Sequence, residues 1–127
     1  MLKDYEMSTK RVLIIDDDSR NIFALVHTLK VKSFDCISCL SAEEALKLLQ
    51  TDETVDAILI DMMMPEMDGY EAIPLIKKIP SREDTLIVAV TAQAMTGDKE
   101  KCLEAGADDY VSKPIDVDKL LKALSKI

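Results

Sequence analysis

The chain has 127 residues, with 24 acidic against 16 basic side chains and a formal net charge of −8 at pH 7. That length makes one ordinary domain, and 48% apolar with 31% charged residues fits a full core under a charged surface. Only 3 glycines and 4 prolines exclude a linker or a collagen-like tract, and the acidic balance argues against a nucleic-acid footprint.

Residues 1–10 mix Lys, Asp and Glu and are expected to form a flexible N-terminal extension, with Met7 as an alternative start. Arg11 to Ile15 is an apolar, β-branched run that ends in Asp16-Asp17-Asp18, the pattern of a strand buried on both faces. Ile22, Leu25, Val26 and Leu29 then mark one helical stripe, with Ser19 as the expected N-cap. Asp35 to Leu40 reads as a short strand. Ser41-Ala-Glu-Glu44 has the form of a capping box and opens a helix through Gln50. Asp56 to Asp61 is a second buried strand ending in an acid, followed by a loop over Met62 to Gly69 and a helix over Gly69 to Ile79. Pro74 lies inside that helix, where it removes a donor, so a kink or an irregular start is expected. Leu86 to Thr91 is another fully apolar strand. Thr96 to Ala105 reads as a helix closed by Gly106, and Asp109 to Ser112 as the last strand. Asp116 caps the final helix, Ile115 and Leu120 stand at staple positions, and Val117, Leu120, Leu121 and Leu124 form its stripe.

Strand and helix therefore alternate five times with short connections. Buried strands need helices on both faces, so the expected fold is a doubly wound α/β domain over residues 11–127 with a five-stranded parallel sheet. Apolar runs reach only about five residues, against the roughly 20 that span a bilayer. With no apolar leader in Met1 to Lys10, a cytoplasmic protein without a membrane partner is expected. Cys36, Cys39 and Cys102 are an odd set with too few companions for a structural zinc site, and are expected to be buried or half-buried thiols. His27, the one histidine, falls mid-helix. The methionines at 62, 63, 64 and 67 are expected to fill loop and core.

In an open parallel sheet, ligands bind at the carboxyl ends of the strands. Here those ends carry Asp16 and Asp17, Asp61, Thr91, and the pair Lys113-Pro114. Two carboxylates about 4 Å apart repel by roughly 4 kcal/mol at an effective dielectric of 20, so a packing role explains such a cluster poorly. A proton or a cation must relieve it, and hard, oxygen-seeking Mg²⁺ suits carboxylates. One carboxylate oxygen would remain to attack phosphorus, with lysine and threonine facing the phosphoryl oxygens.

Four segments carry a family resemblance: Val12-Leu-Ile-Ile-Asp-Asp17, Asp61-Met-Met-Met-Pro-Glu-Met-Asp-Gly69, Val88-Ala-Val-Thr-Ala92 and Tyr110-Val-Ser-Lys-Pro114. In this order and spacing the chain resembles the receiver domain of two-component response regulators, chemotaxis-regulator-like, across residues 11–127. The resemblance implies a flavodoxin-like fold with strand order 2-1-3-4-5. It implies that Asp61 is the phosphoacceptor, taking phosphoryl from a phosphohistidine, and that Mg²⁺ is held by Asp17, Asp61 and the backbone carbonyl of Met63, with Asp16 reaching it through water. Thr91 is then the switch hydroxyl, the amide of Ala92 a further donor, Lys113 the phosphoryl-binding cation, and Tyr110 the aromatic switch. The Lys113-Pro114 bond is implied to be cis, and Asp18 to be a turn residue.

Implied partners are a histidine kinase or a histidine phosphotransfer protein and a downstream protein target, with the chain a monomer or weak dimer. The implied output is a changed surface on helix 4, strand 5 and helix 5. Two positions depart from the usual pattern: Met63 offers no side-chain hydrogen bond to an attacking water, whereas Gln93 offers one. The chain is expected to be an autocatalytic phosphoacceptor rather than a turnover enzyme. Three alternatives stand beside this: a receiver from a hybrid histidine kinase, a pseudo-receiver that only binds a partner, and a small Mg²⁺-dependent phosphohydrolase of the haloacid dehalogenase kind. The last would use Asp16-x-Asp18, but Arg20 stands where that motif wants Thr or Val.

Overall fold

A computed structural model describes residues 9–92 and 97–127. Most of the expected extension, Met7, Gln93 and the expected helix start at Thr96 lie outside the described residues. Five strands, β1 (Arg11–Ile15), β2 (Asp35–Cys39), β3 (Ala57–Asp61), β4 (Leu86–Thr91) and β5 (Asp109–Ser112), alternate with five helices. The helices are α1 (Ser19–Val31), α2 (Ala42–Leu49), α3 (Gly69–Lys77), α4 (Asp98–Ala105) and α5 (Val117–Leu124). All strand pairs are parallel, in the order β2-β1-β3-β4-β5.

The period-2 pleat of the central strands sorts the core into two layers. Leu13, Ile15, Ile58, Ile60, Ile87 and Ala89 face α2, α3 and α4 through Ala45, Ile73 and Cys102. Val12, Ile14, Leu59, Val88 and Val90 face α1 and α5 through Leu29, Leu120 and Leu124. This explains the runs of apolar residues without polar alternation in β1, β3 and β4. Cys36 and Cys39 fall in opposite layers, and all three cysteines are free thiols. Burial pushes the Cys39 thiol up to about 11, which leaves it protonated and inert near neutrality.

The helix ends differ from expectation at α1, α2 and α3, and α2 stops at Leu49 with Gln50 as its C-cap. Asp18, not Ser19, caps α1: its carboxylate accepts from the Arg20 amide at 2.9 Å. An ionised acid is favoured at a helix N-terminus, where the amide dipoles point. At α2, Ser41 caps as expected by accepting from the Glu44 amide, but the Glu44 carboxylate reaches back to the Leu40 amide, one residue beyond the box position. The reciprocal capping box is instead at α3, between Asp68 and Glu71. α3 starts at Gly69 as expected and runs uninterrupted through Pro74 to Lys77, two residues short of Ile79. Tighter bonds from the Lys78 and Ile79 amides to Leu75 and Ile76 close it. Pro74 is on the exposed side, where water can serve the backbone group that loses its partner.

Candidate functional site

The strand register builds the site. Ile15 pairs with Ile60, so Asp16 and Asp61 each stand one residue further along neighbouring strands. Asp61 pairs with Val90, which puts Thr91 one step beyond, and Thr91 pairs with Ser112, which puts Lys113 one step beyond again. Backbone bonds carry the ladders past the strand ends: Asp16 amide to Cys39 carbonyl at 3.2 Å, Met62 amide to Val90 carbonyl at 2.9 Å, Lys113 amide to Thr91 carbonyl at 2.8 Å. The Lys113-Pro114 bond is cis.

Carboxylate oxygens of Asp16, Asp17 and Asp61 lie within 4.8 Å of one another. Asp16 and Asp61 are buried and Asp17 is exposed. Lys113 Nζ stands 3.2 Å from Asp61 Oδ2 and 3.9 Å from Asp16 Oδ2. The other oxygen of Asp61, Oδ1, accepts from the Met63 amide at 2.9 Å. Asp16 accepts from the Asp18 amide at 2.8 Å and from Asn21 Nδ2 at 3.5 Å. Burial holds the Asp16 carboxyl above the usual carboxylate range, and the charge of Asp61 adds to the rise. The Asp18 amide, Lys113 and Asn21 pull the other way.

Three carboxylates thus face one ammonium. The donors are all oxygen and the excess charge is negative, which fits a hard divalent cation and suits neither zinc nor a soft metal. Removing one buried charge relieves repulsion, so Asp16→Asn should raise stability in metal-free neutral buffer by about 1 kcal/mol, read as a higher urea midpoint. A lower midpoint would mean that the hydrogen bonds to the carboxylate outweigh the repulsion.

Thr91 is buried and Ala92 exposed, and both line a cleft of about 610 Å³ with Met63, Tyr70, Asp98, Lys101 and Glu104. A second opening of about 340 Å³ on the other side runs between α1 and Lys113-Pro114-Ile115, with Asp16 and Asn21 in its wall. Tyr110 is half-buried against the first core layer. Met63 is 67% exposed, whereas Met62 and Met64 fill the core and Met67 is half-buried. His27 is exposed on α1. Asp18 is spent on its cap and lies outside the acid group, so no Asp16-x-Asp18 pair of the phosphohydrolase kind is assembled. Asn21 was not foreseen; its place in the first turn of α1, five residues after Asp16, is the signal that would have found it.

Residues 12–125 match the response regulator receiver domain family. The chain belongs to that family. Among curated relatives, the histidine-protein kinase BarA of Escherichia coli K12 is 38% identical over 109 residues, covering 86% of this chain. This chain spans only 12% of that relative's length. Among solved structures, the chemotaxis protein CheY4 of Vibrio cholerae superposes with a TM-score of 0.86 at 26% identity, covering 94% of this chain and 99% of that one. The receiver domain of the sensor histidine kinase PA1611 from Pseudomonas aeruginosa gives 0.83 at 28% identity, covering 94% and 97%, and that structure has a magnesium ion coordinated in its active site cleft.

This receiver therefore has the chemotaxis-regulator-like flavodoxin fold with strand order 2-1-3-4-5. Receivers are the phosphoacceptor modules of two-component signalling, in hybrid histidine kinases as in response regulators. They act with histidine kinases or phosphotransfer proteins, and bind Mg²⁺ in an acidic pocket like the one assembled here. Among the described residues no helix is long and apolar enough to cross a membrane.

Proposed function

We propose that Asp61 is the phosphoacceptor of this receiver and that Asp17, Asp61 and the Met63 carbonyl hold Mg²⁺, with Asp16 reaching it through water. The observation that carries the reading is the placing of Lys113 Nζ at 3.2 Å from Asp61 while the three acids converge within 4.8 Å. An oxygen of Asp61 bonds to phosphorus as the phosphorus–nitrogen bond to the donor imidazole breaks. The imidazole leaves with the electron pair and takes a proton from solvent. Bound Mg²⁺ supplies charge neutralisation for the transferring phosphoryl oxygens. Lys113 and the Ala92 amide donate to those oxygens, and burial of Asp61 and Thr91 keeps these contacts strong.

The acyl phosphate carries about −1.5 to −2 charge where the Asp61 carboxylate carried a single one, and it projects that charge toward Thr91 and Lys113. Thr91 moves toward it, Tyr110 turns inward, and the surface of α4, β5 and α5 shifts between two populations. The chain is an autocatalytic phosphoacceptor, not a turnover enzyme. Its donor is a histidine kinase or phosphotransfer protein and its reader a downstream protein. It works in the cytoplasm as a monomer or weak dimer, engaging neither nucleic acid nor membrane, alone or as the receiver of a hybrid kinase.

Incubation with acetyl phosphate and Mg²⁺ followed by intact mass tests this. The expected result is a gain of one phosphoryl group, lost when Mg²⁺ is chelated. No gain, under conditions where a competent receiver responds, would leave the pseudo-receiver reading in its place.

A further inference from the structure

Gly69 is the first residue of α3, and its amide donates to the Met62 carbonyl at 3.2 Å. Met62 directly follows Asp61, and its own amide is tied to Val90 on β4. Its side chain is fully buried in the first core layer. A Cβ on Gly69 would collide with Met62 Sδ, and would stand 2.9 Å from Met62 Cα and 3.2 Å from its Cε. The flexible thioether can swing aside. The Cα cannot, because it lies between two anchored peptide groups. Nor can α3 retreat without cost: Ala72, Ile73 and Ile76 are buried beneath it, and the Asp68–Glu71 capping box keeps its first turn from unwinding. Gly69 is therefore required for space and not for backbone conformation.

What sits on either side of Met62 gives this contact its meaning. Asp61 precedes it, and Met63 follows, with its amide on Asp61 Oδ1 at 2.9 Å. We propose that Gly69 is a positioning residue for the phosphoacceptor loop: by letting α3 seat directly on the Met62 backbone, it holds the Asp61 carboxylate and the Met63 carbonyl in line with Asp16 and Asp17. This rests on the assignment of Asp61 and the metal group made above. A purely helical role predicts the opposite outcome of substitution, because alanine is the better helix former and would be neutral or stabilising at this position.

The test is titration with MgCl₂ alone, by calorimetry and by amide chemical shifts, alongside urea unfolding. Gly69→Ala should weaken Mg²⁺ binding about tenfold, the scale on which groups that orient metal ligands act. Met62→Ala/Gly69→Ala, which frees the side-chain part of the collision and leaves the Cα part, should fold more readily and still bind Mg²⁺ less tightly than the parent. Wild-type Mg²⁺ affinity in either folded variant overturns the inference. If neither variant folds, the parent decides: its Gly69 amide should shift on Mg²⁺ addition, and an unmoved Gly69 amide beside shifting Asp17 and Asp61 amides overturns the inference equally. A parent in which no amide shifts overturns the metal assignment itself, and the two failures are thus told apart.

Discussion

Replacing Arg82 by alanine is expected to cost about 2 to 3 kcal/mol of stability, the loss that follows when buried carbonyls lose a charged donor and a long aliphatic stem is deleted. Arg82 precedes β4 and is only 6% exposed, and among the described residues its guanidinium bonds to backbone carbonyls. Its Nε donates to the Leu49 carbonyl at 2.9 Å, and one terminal nitrogen donates to Thr51 at 3.0 Å and Glu53 at 2.8 Å. The guanidinium thus closes the C-terminal end of α2, where the helix dipole favours a cation, and fixes the connection into β3. Because small domains lose roughly 1 to 3 kcal/mol per molar urea, the midpoint should fall by about 0.7 to 3 M. Arg82→Lys should recover little, because a single ammonium cannot span three carbonyls as a planar fork does. A midpoint shift below that of an ordinary surface substitution, about 0.5 kcal/mol, would contradict this.

Lys113→Ala should slow phosphoryl uptake from acetyl phosphate by about a hundredfold or more, the usual cost of deleting one preorganised donor to developing charge. The same substitution should lower stability in metal-free buffer, because it strips from Asp16 and Asp61 the ammonium that lies within 3.9 Å of both. Asp16→Asn is expected to move stability the other way. The pair of results separates a lysine that acts in transfer from one that only neutralises. Uptake within a few-fold of the parent, with stability reduced, would leave Lys113 a purely neutralising role.

The alternation of strands and helices was legible because β1, β3 and β4 are apolar on both faces, and only a sheet covered on both sides buries such segments. The strand-end residues were legible for the same reason: Asp16, Asp61 and Thr91 interrupt apolar runs at the point where each strand leaves the core. Which strands are neighbours came from the family resemblance, since periodicity carries no information on strand order. The Ser19 cap was misread because serine and the preceding aspartate are both good caps, and the choice depends on the local turn. Arg82 was invisible in a polar stretch, Ser81-Arg-Glu-Asp84, that reads as surface; its burial is made by a loop some 30 residues earlier. Gly69 was seen as part of a motif, but its need for space appears only once α3 is laid against Met62.

The most direct measurement is the location of the phosphoryl group. After labelling with acetyl phosphate and Mg²⁺, borohydride reduction converts an aspartyl phosphate to homoserine, and peptide mass mapping finds the altered residue. The account predicts homoserine at position 61 alone, with no conversion in Asp61→Asn. Conversion at Asp16 or Asp17 instead, or label retained by His27, would contradict it.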